Sequence, residues 1–211
     1  MTFDYFPGAF WSREDFTYAD GAGYGPNFTM HSGSTGRLYG NHPTLRALSN
    51  GAGEVADWGA YNKLADGDDM RTTFTLVNPT PYTLATDQEF VLSHRNINTA
   101  NSLTYGVWFT IVGSTAAIIS MINGTQTQRA SAAAGSNLIG VPLMYESKGN
   151  VHQCIRLDTG ATVVGWNDSG ALAAKGATYR TMKMAITGWW PIFQQQYVSP
   201  VPDFVDFAAA A

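Results

Sequence analysis

Charged residues are scarce in this chain. Lysine, arginine, aspartate and glutamate make up 13% of its 211 residues, about half of the ~25% that is usual in soluble domains. The polar surface must therefore come from threonine, serine, asparagine, glutamine and glycine. A surface of this kind is more typical of a protein packed against neighbours in an assembly than of a monomer kept apart by charge repulsion.

Long basic and long apolar runs are also missing. The formal net charge is −4, and no cluster of lysines and arginines could replace the counterions of a phosphate backbone, so we expect no nucleic-acid partner. No apolar run approaches the ~18 to 20 residues of a membrane span, so we expect no membrane partner. Residues 1–5 lack the basic and apolar regions of a secretion signal, and none is expected.

Cysteine and histidine are too few to build a reactive or metal centre. The single cysteine, Cys154, excludes an internal disulfide framework, and we expect it to be a buried strand residue. The four histidines, His31, His42, His94 and His152, show no metal-ligand spacing. The sequence therefore predicts neither a metal nor a cofactor.

The chain is rich in β-forming sequence. Hydrophobic residues make up 45% and aromatic residues 13%, enough for a sizeable core. Asn123-Gly124 predicts a tight hairpin, because both residues tolerate positive φ. Some dozen short strands predict an all-β fold, an antiparallel β-sandwich with little helix. Ser12–Asp15 could cap one helical turn. Runs with a period near two are Met70–Val77, Glu89–His94, Tyr105–Val112, Ala117–Ile122 and Val151–Asp158.

The domain organisation follows from the prolines near the C-terminus. We expect one sandwich domain over residues 1–198, followed by an extended segment and tail over 199–211. Pro200 and Pro202 lack backbone donors and favour extended structure, as in a linker or sheet edge. Asp203–Phe207 then predicts a last short strand, and contacts of this segment with another subunit could cap a sheet edge.

No set of residues predicts catalysis. Asp66-Gly67-Asp68-Asp69 brings three carboxylates together, which fits either a surface turn or a calcium loop, but the glutamate that completes an EF-hand is missing. The sequence contains no paired carboxylates in the Glu-x-Asp-x-x-Glu strand pattern of laminarinase-like sandwiches, and no Gly-x-Ser-x-Gly elbow. We therefore expect no catalytic residue and no enzymatic activity.

Two consecutive tryptophans, Trp189 and Trp190, are the candidate binding residues. In a strand, neighbouring side chains point to opposite faces, so one of the two indoles faces away from the core. Tryptophan is enriched at interface hot spots, and its flat ring can stack against a sugar. Three alternatives stay open: a cover formed by the chain's own C-terminal segment, a subunit interface, or a glycan platform.

Several short segments of the sequence resemble segments of minor tail proteins of actinobacterial phages. Trp166-Asn167-Asp168-Ser169-Gly170, followed by Lys175-Gly176-Ala177-Thr178-Tyr179-Arg180, is similar to the C-terminal part of a β-sandwich in those proteins. Other matching phrases are Arg13–Phe16, Ala19–Phe28, Arg37–Asn41, Tyr105–Phe109 and Ser199–Phe204. In Ala19–Phe28, Phe28 stands where the family usually has tryptophan.

The resemblance implies a concanavalin A-like, jelly-roll sandwich and a structural role. Such a protein is a non-enzymatic virion component, made in the bacterial host cytoplasm. It acts through contacts with other virion proteins in the tail or, alternatively, as a capsid decoration protein. Several copies per virion imply a homo-oligomer. A second alternative is a carbohydrate-binding module that recognises host cell-wall glycan.

Overall fold

The structure, a computed structural model, describes residues 11–18, 21–31, 37–39, 42–44, 55–79, 82–84, 87–99, 102–134, 138–189 and 197–209. These residues form eighteen strands and one 3-10 turn at Ala177–Tyr179. Within these ranges no helix has the length and apolar character needed to cross a membrane. The strands are β1 (Trp11–Glu14), β2 (Gly21–Ala22), β3 (Phe28–Met30), β4 (Arg37–Tyr39), β5 (His42–Thr44), β6 (Val55–Tyr61), β7 (Met70–Val77), β8 (Thr83–Leu84), β9 (Glu89–Asn96), β10 (Tyr105–Val112), β11 (Thr115–Ile122), β12 (Thr125–Ala133), β13 (Pro142–Lys148), β14 (Val151–Arg156), β15 (Thr162–Asn167), β16 (Thr181–Trp189), β17 (Tyr197–Val198) and β18 (Val201–Ala209).

Two large sheets pack face to face. One has six strands in the order β1-β18-β7-β13-β14-β15. The other has nine and follows the path β12-β11-β10-β9-β16-β17-β8, with β6 paired to β16 and β3 paired to β6. Neighbouring strands run antiparallel, except for the short parallel contact between β17 and β8. A small third sheet contains β2, β4 and β5. The predicted all-β antiparallel sandwich is confirmed.

The core lies between the two large sheets and is rich in aromatic rings. In β7, burial alternates along the strand, so that Met70, Thr72, Phe74 and Leu76 point inward. The Phe74 ring lies 5.7 Å from Phe90, on the opposite sheet. Burying large rings from both sheets supplies the main apolar stabilisation of such a sandwich.

The strand predictions agree with the structure where alternation is regular. β7 and β10 have the predicted bounds, and Asn123-Gly124 forms the β11–β12 turn with both φ angles positive. Cys154 is buried in β14, as expected. The helical turn proposed at Ser12–Asp15 is wrong, because Trp11–Glu14 is the strand β1, paired to β18. Pairing with a distant strand has outweighed the local capping pattern.

The C-terminal segment differs from the predicted arrangement. The predicted strand over Asp203–Phe207 is present within β18, but β18 lies inside the six-stranded sheet, between β1 and β7. The sandwich therefore continues past residue 198, and this segment is not a free edge. Pro202 is tolerated because it adjoins a register shift in the β18–β7 ladder, where a missing donor costs little.

We expect Phe207→Ala to destabilise the protein by about 3–5 kcal/mol, since the Phe207 side chain is fully buried and its ring lies 5.9 Å from Tyr61. Phe204→Ala is the matched control on the same strand. The Phe204 ring is half-buried beneath the Arg13 guanidinium, 4.4 Å from its centroid, so its loss should cost about 1 kcal/mol or less. Urea unfolding followed by tryptophan fluorescence measures both. Equal costs would contradict the burial of Phe207 in the core.

Candidate functional site

Five connections meet at one end of the sandwich, which we call the loop end. They join β6 to β7, β9 to β10, β11 to β12, β13 to β14, and β15 to β16. In antiparallel sheets alternate connections lie at the same end. Loops held on a rigid scaffold are where binding groups concentrate, so the loop end is the candidate site.

Arg95 ties two of these loops together from inside the protein. Its side chain is 1% exposed, and its backbone has a φ of 55° beside a register shift between β9 and β16. Nε donates to the carbonyl of Asp68 at 3.3 Å and Nη2 donates to the carbonyl of Gly149 at 2.6 Å. Burial lowers the pKa of Arg95, and nearby acidic groups oppose that effect. Because a guanidinium stays protonated in proteins, this buried charge needs all of these partners.

The acidic turn predicted at Asp66–Asp69 is the counterpart of Arg95. Asp68 Oδ1 accepts hydrogen bonds from the Gly176 amide at 2.9 Å and from Arg180 Nε at 3.0 Å. Burial opposes ionisation of Asp68, but the bonds from Arg180 and Gly176 outweigh it, so the pKa of Asp68 lies below its ordinary value. The Asp66 carbonyl accepts from Arg180 Nη1 at 2.8 Å.

Asp69 completes this connection on the other side of the turn. Its Oδ1 accepts from the Gly149 amide at 2.8 Å and lies 3.7 Å from Arg95 Nη2. Across the described part of the chain, no group of three or more His, Cys, Asp or Glu side chains could hold a metal ion. Asp68 and Asp69 therefore hold neighbouring loops together, as the residues of a surface turn do.

The β15–β16 connection, the stretch singled out in the sequence, is fixed along its length. Asp168 is buried, its amide donates to the Asn150 carbonyl at 2.7 Å, and its Oδ2 accepts from the Ala173 amide at 2.7 Å. Lys175 Nζ donates to Asn150 Oδ1 at 2.7 Å. The loop is therefore held in place by the β13–β14 turn before any ligand binds.

Two half-buried tyrosines pack together at the loop end. The rings of Tyr105 and Tyr179 are half-buried, edge to face, with centroids 5.4 Å apart, and the Tyr105 hydroxyl donates to Asn123 Oδ1. Asn98 fixes the turn that carries Tyr179, because its Nδ2 donates to the Ala177 carbonyl at 2.7 Å. Flat rings beside hydroxyl and amide groups can bind a ligand that is apolar on one face and polar at its rim.

Sequence reasoning did not pair these residues. The sequence predicts a strand at Tyr105, and Tyr179 lies in one of the segments that resemble phage minor tail proteins. They are 74 positions apart in the sequence, and only the packing of the β9–β10 connection against the β15–β16 connection brings them together. No spacing pattern in the sequence could have identified the pair.

A second pair of aromatic residues, Trp58 and Trp108, lies on the face of the nine-stranded sheet that points away from the core. Their ring centroids are 5.0 Å apart, over Val91 and Ala185. This face is covered near Lys183, whose Nζ donates to carbonyls of the β9–β10 connection, and burial lowers the pKa of Lys183 to about 8. Trp108 is buried and Trp58 is half-buried, so this pair packs together as part of the outward face of the sheet.

The predicted binding residues Trp189 and Trp190 are only partly covered by the structure. Trp189 is the last residue of β16, and its backbone pairs with Tyr197. Its side chain, and the whole of Trp190, lie outside the described residues. Their role as an interface or glycan contact stays a prediction.

A buried histidine network lies beneath the loop end. Ser147 Oγ is 3.2 Å from His94 Nδ1 and 2.9 Å from His152 Nδ1. The His94 ring stacks on Tyr145 and the His152 ring on Trp166. Burial lowers the pKa of His94 well below its ordinary value and that of His152 to about 3, so both rings are neutral in the folded protein at neutral pH.

We expect the folded protein to lose stability as the pH falls from about 6.5 towards 3. In that window the unfolded chain binds protons on both histidines while the folded protein excludes them, so each contributes about 1.4 kcal/mol of destabilisation per pH unit. Urea unfolding between pH 7 and pH 4 measures the slope. His152→Gln should reduce the slope by one histidine's share, and an unchanged slope would contradict the assignment.

Comparison with solved structures places the fold among lectin-like sandwiches. A lectin from Bauhinia forficata in complex with GalNAc has a TM-score of 0.58 at 11% identity and covers 97% of this chain and 99% of its own. The carbohydrate-binding module CBM66 from Bacillus subtilis has a TM-score of 0.50 at 11% identity, covering 83% and 93%. The catalytic domain of an endo-1,3-beta-glucanase (laminarinase) from Thermotoga petrophila has a TM-score of 0.51 at 7% identity, covering 95% and 98%.

No protein-family model matches the sequence, and no curated protein matches it. At identities this low, the structural likeness shows the fold alone. The chain has the concanavalin A-like β-sandwich fold found in lectins and in a carbohydrate-binding module.

Proposed function

We propose that this chain is a non-catalytic glycan-binding protein whose site is the loop end. The observation that supports this most directly is the half-buried Tyr105–Tyr179 pair beside the Asn123 amide. Sugar rings present C–H faces that stack on aromatic rings and hydroxyls that bond to amides and phenols. The similarity to a lectin bound to GalNAc and to a carbohydrate-binding module adds support.

The non-catalytic part of the proposal rests on how the loop-end carboxylates are used. Asp68 and Asp69 accept hydrogen bonds from neighbouring loops and lie beside Arg180 and Arg95. A glycosidase needs a general acid whose pKa is raised, whereas the pKa of Asp68 is lowered. Although one similar fold belongs to a laminarinase, this sequence lacks the Glu-x-Asp-x-x-Glu strand pattern of such enzymes.

We expect Tyr179→Ala to weaken glycan binding at least about tenfold, because it removes one stacking ring from the site. Tyr179→Phe keeps the ring and should bind like the wild type. Val112→Ala is the control, since Val112 is an exposed side chain at the opposite end of the sandwich, beside the β10–β11 turn. Isothermal titration against actinobacterial cell-wall polysaccharides, chosen from a glycan array, measures the affinities.

Two outcomes of this experiment would contradict the proposed site. The first is a wild-type protein that binds no glycan on the array. The second is a Tyr179→Ala variant that binds like the wild type. If Trp190→Ala alone abolished binding, the glycan platform would lie at the predicted Trp189–Trp190 pair and not at the loop end.

The second candidate is a virion role, as a minor tail protein or a capsid decoration protein acting through contacts with other virion proteins. It is supported by short segments that resemble phage minor tail proteins, among them Trp166–Gly170 and Lys175–Arg180, and by the low fraction of charged residues. This role is compatible with glycan binding, because a particle can carry a protein that recognises its host. In that role the chain would be made in the bacterial cytoplasm and reside in the virion.

We expect quantitative mass spectrometry of purified phage particles to detect several copies of this chain per particle, since symmetric virion assemblies repeat their components. Washing the particles at high salt before analysis controls for loosely adsorbed protein. A chain present in the host lysate but missing from washed particles would rule out the virion role and leave the glycan-binding proposal standing.

A further inference from the structure

β12 (Thr125–Ala133) ends the nine-stranded sheet on one side. It pairs with β11, and none of the strands that the structure describes pairs with its other side. Six of its nine residues are exposed, whereas β9, β10, β11 and β16 are buried along almost their whole length. Within the described part of the chain, one row of backbone amides and carbonyls of β12 therefore has no strand partner.

Little in β12 protects this edge from pairing. Edges are usually protected by shortness, proline or outward charges. Elsewhere in this fold β3 and β8 are three and two residues long, and β1 has four residues and carries the exposed Arg13. β12 has nine residues, no proline and no acidic residue, and its single charge, Arg129, is turned away from solvent. Arg129 Nε donates to Ser120 Oγ at 2.7 Å, and its guanidinium lies 5.3 Å from the Trp166 ring centroid.

A shift in the β11–β12 register at Arg129 decides which β12 side chains share a face. Ile118 of β11 pairs with Ala130 and Ile119 pairs with Gln128, so Arg129 between them has no partner residue on β11. Before the shift, Gln126 and Gln128 oppose Met121 and Ile119, which belong to the outward-facing cluster. After it, Ala130 and Ala132 pack on the core. The outward set is therefore Gln126, Gln128, Ser131 and Ala133, and the inward set is Thr125, Thr127, Arg129, Ala130 and Ala132.

Among the antiparallel registers that pair six or more residues of β12 with a second copy, this pattern is self-complementary in one. Opposing residues of an antiparallel pair must lie on the same face. In this register, the residue numbers of each opposing pair sum to 259. Gln128 then faces Ser131, Thr127 faces Ala132 and Gln126 faces Ala133 of a second copy, and the two residues of each pair lie on the same face. In the register with a sum of 258, outward Gln128 would oppose inward Ala130. In the register with a sum of 257, it would oppose inward Arg129, so both registers pair residues on different faces.

We propose that two copies of this chain pair through β12 in this register, about a two-fold axis, and join their nine-stranded sheets into one continuous sheet. The pairing satisfies the free backbone groups and places the half-buried Ala130 and Ala132 beside Arg129 and Thr127 of the second copy. No like charges meet, because each Arg129 is held by its own sandwich. The two loop ends then point in opposite directions, and the proposal does not depend on what they bind.

The test compares charge variants by sedimentation over a range of concentrations. We expect the wild type to dimerise, and Gln128→Lys with Ser131→Lys to raise the dissociation constant at least about tenfold by opposing like charges. Gln128→Glu with Ser131→Lys should restore the dimer, because each carboxylate then faces a lysine. Val151→Lys, on an exposed position of β14, controls for added charge. Circular dichroism checks that each variant is folded.

Disulfide cross-linking tests the register itself. Gln128→Cys with Ser131→Cys should give a covalent dimer on oxidation, whereas Gln126→Cys with Ser131→Cys, which sums to 257, should not; the native Cys154 is buried. A wild type that is monomeric at about 1 mM, a dimer insensitive to the lysine pair, or equal cross-linking of both cysteine pairs would each overturn the proposal. In the first case the edge is open to an extended segment of a different protein.

Discussion

The buried guanidinium of Arg95 is the constraint on which the loop end depends. A charge held away from water is tolerated only while its hydrogen-bonding partners stay in place, and losing them costs several kcal/mol. Arg95 therefore fixes the Asp66–Asp69 turn against the β13–β14 turn. Asp68 in turn fixes the β15–β16 connection, because its carboxylate accepts hydrogen bonds from Gly176 and Arg180. A surface built this way keeps its shape before a ligand arrives, which lowers the entropic cost of binding.

The nine-stranded sheet explains why the candidate site lies on loops and not on a strand face. Its central strands are buried on both sides, inward by the core and outward around Trp58 and Trp108. The buried faces of these described strands offer little surface to other molecules, whereas the ends and the edges of the sheet are accessible. The loop end and the β12 edge differ in chemistry. The loop end presents aromatic and amide side chains, whereas the β12 edge presents backbone amides and carbonyls that none of the described strands pairs with. Ligand binding and self-association can therefore use separate surfaces.

The elements that the sequence predicted well are those with regular alternation. β7 and β10 could be bounded because apolar residues recur with a period near two, and the Asn123-Gly124 turn could be placed because both residues accept positive φ. The prediction at Ser12–Asp15 was wrong, because a short polar pattern fits both a cap and a strand, and β18 decided between them. The position of β18 inside a sheet could not be foreseen either, since two prolines read locally as a linker.

The sequence by itself determined the class of fold, the buried state of Cys154 and the lack of a predicted catalytic set, because these follow from composition and from patterns within a few neighbouring residues. Only the tertiary structure decided the order of the strands, the partners of the acidic turn and the meeting of Tyr105 with Tyr179. These depend on contacts between residues far apart in the chain. Local sequence restricts such contacts weakly, whereas the packing of two sheets around one core fixes them together.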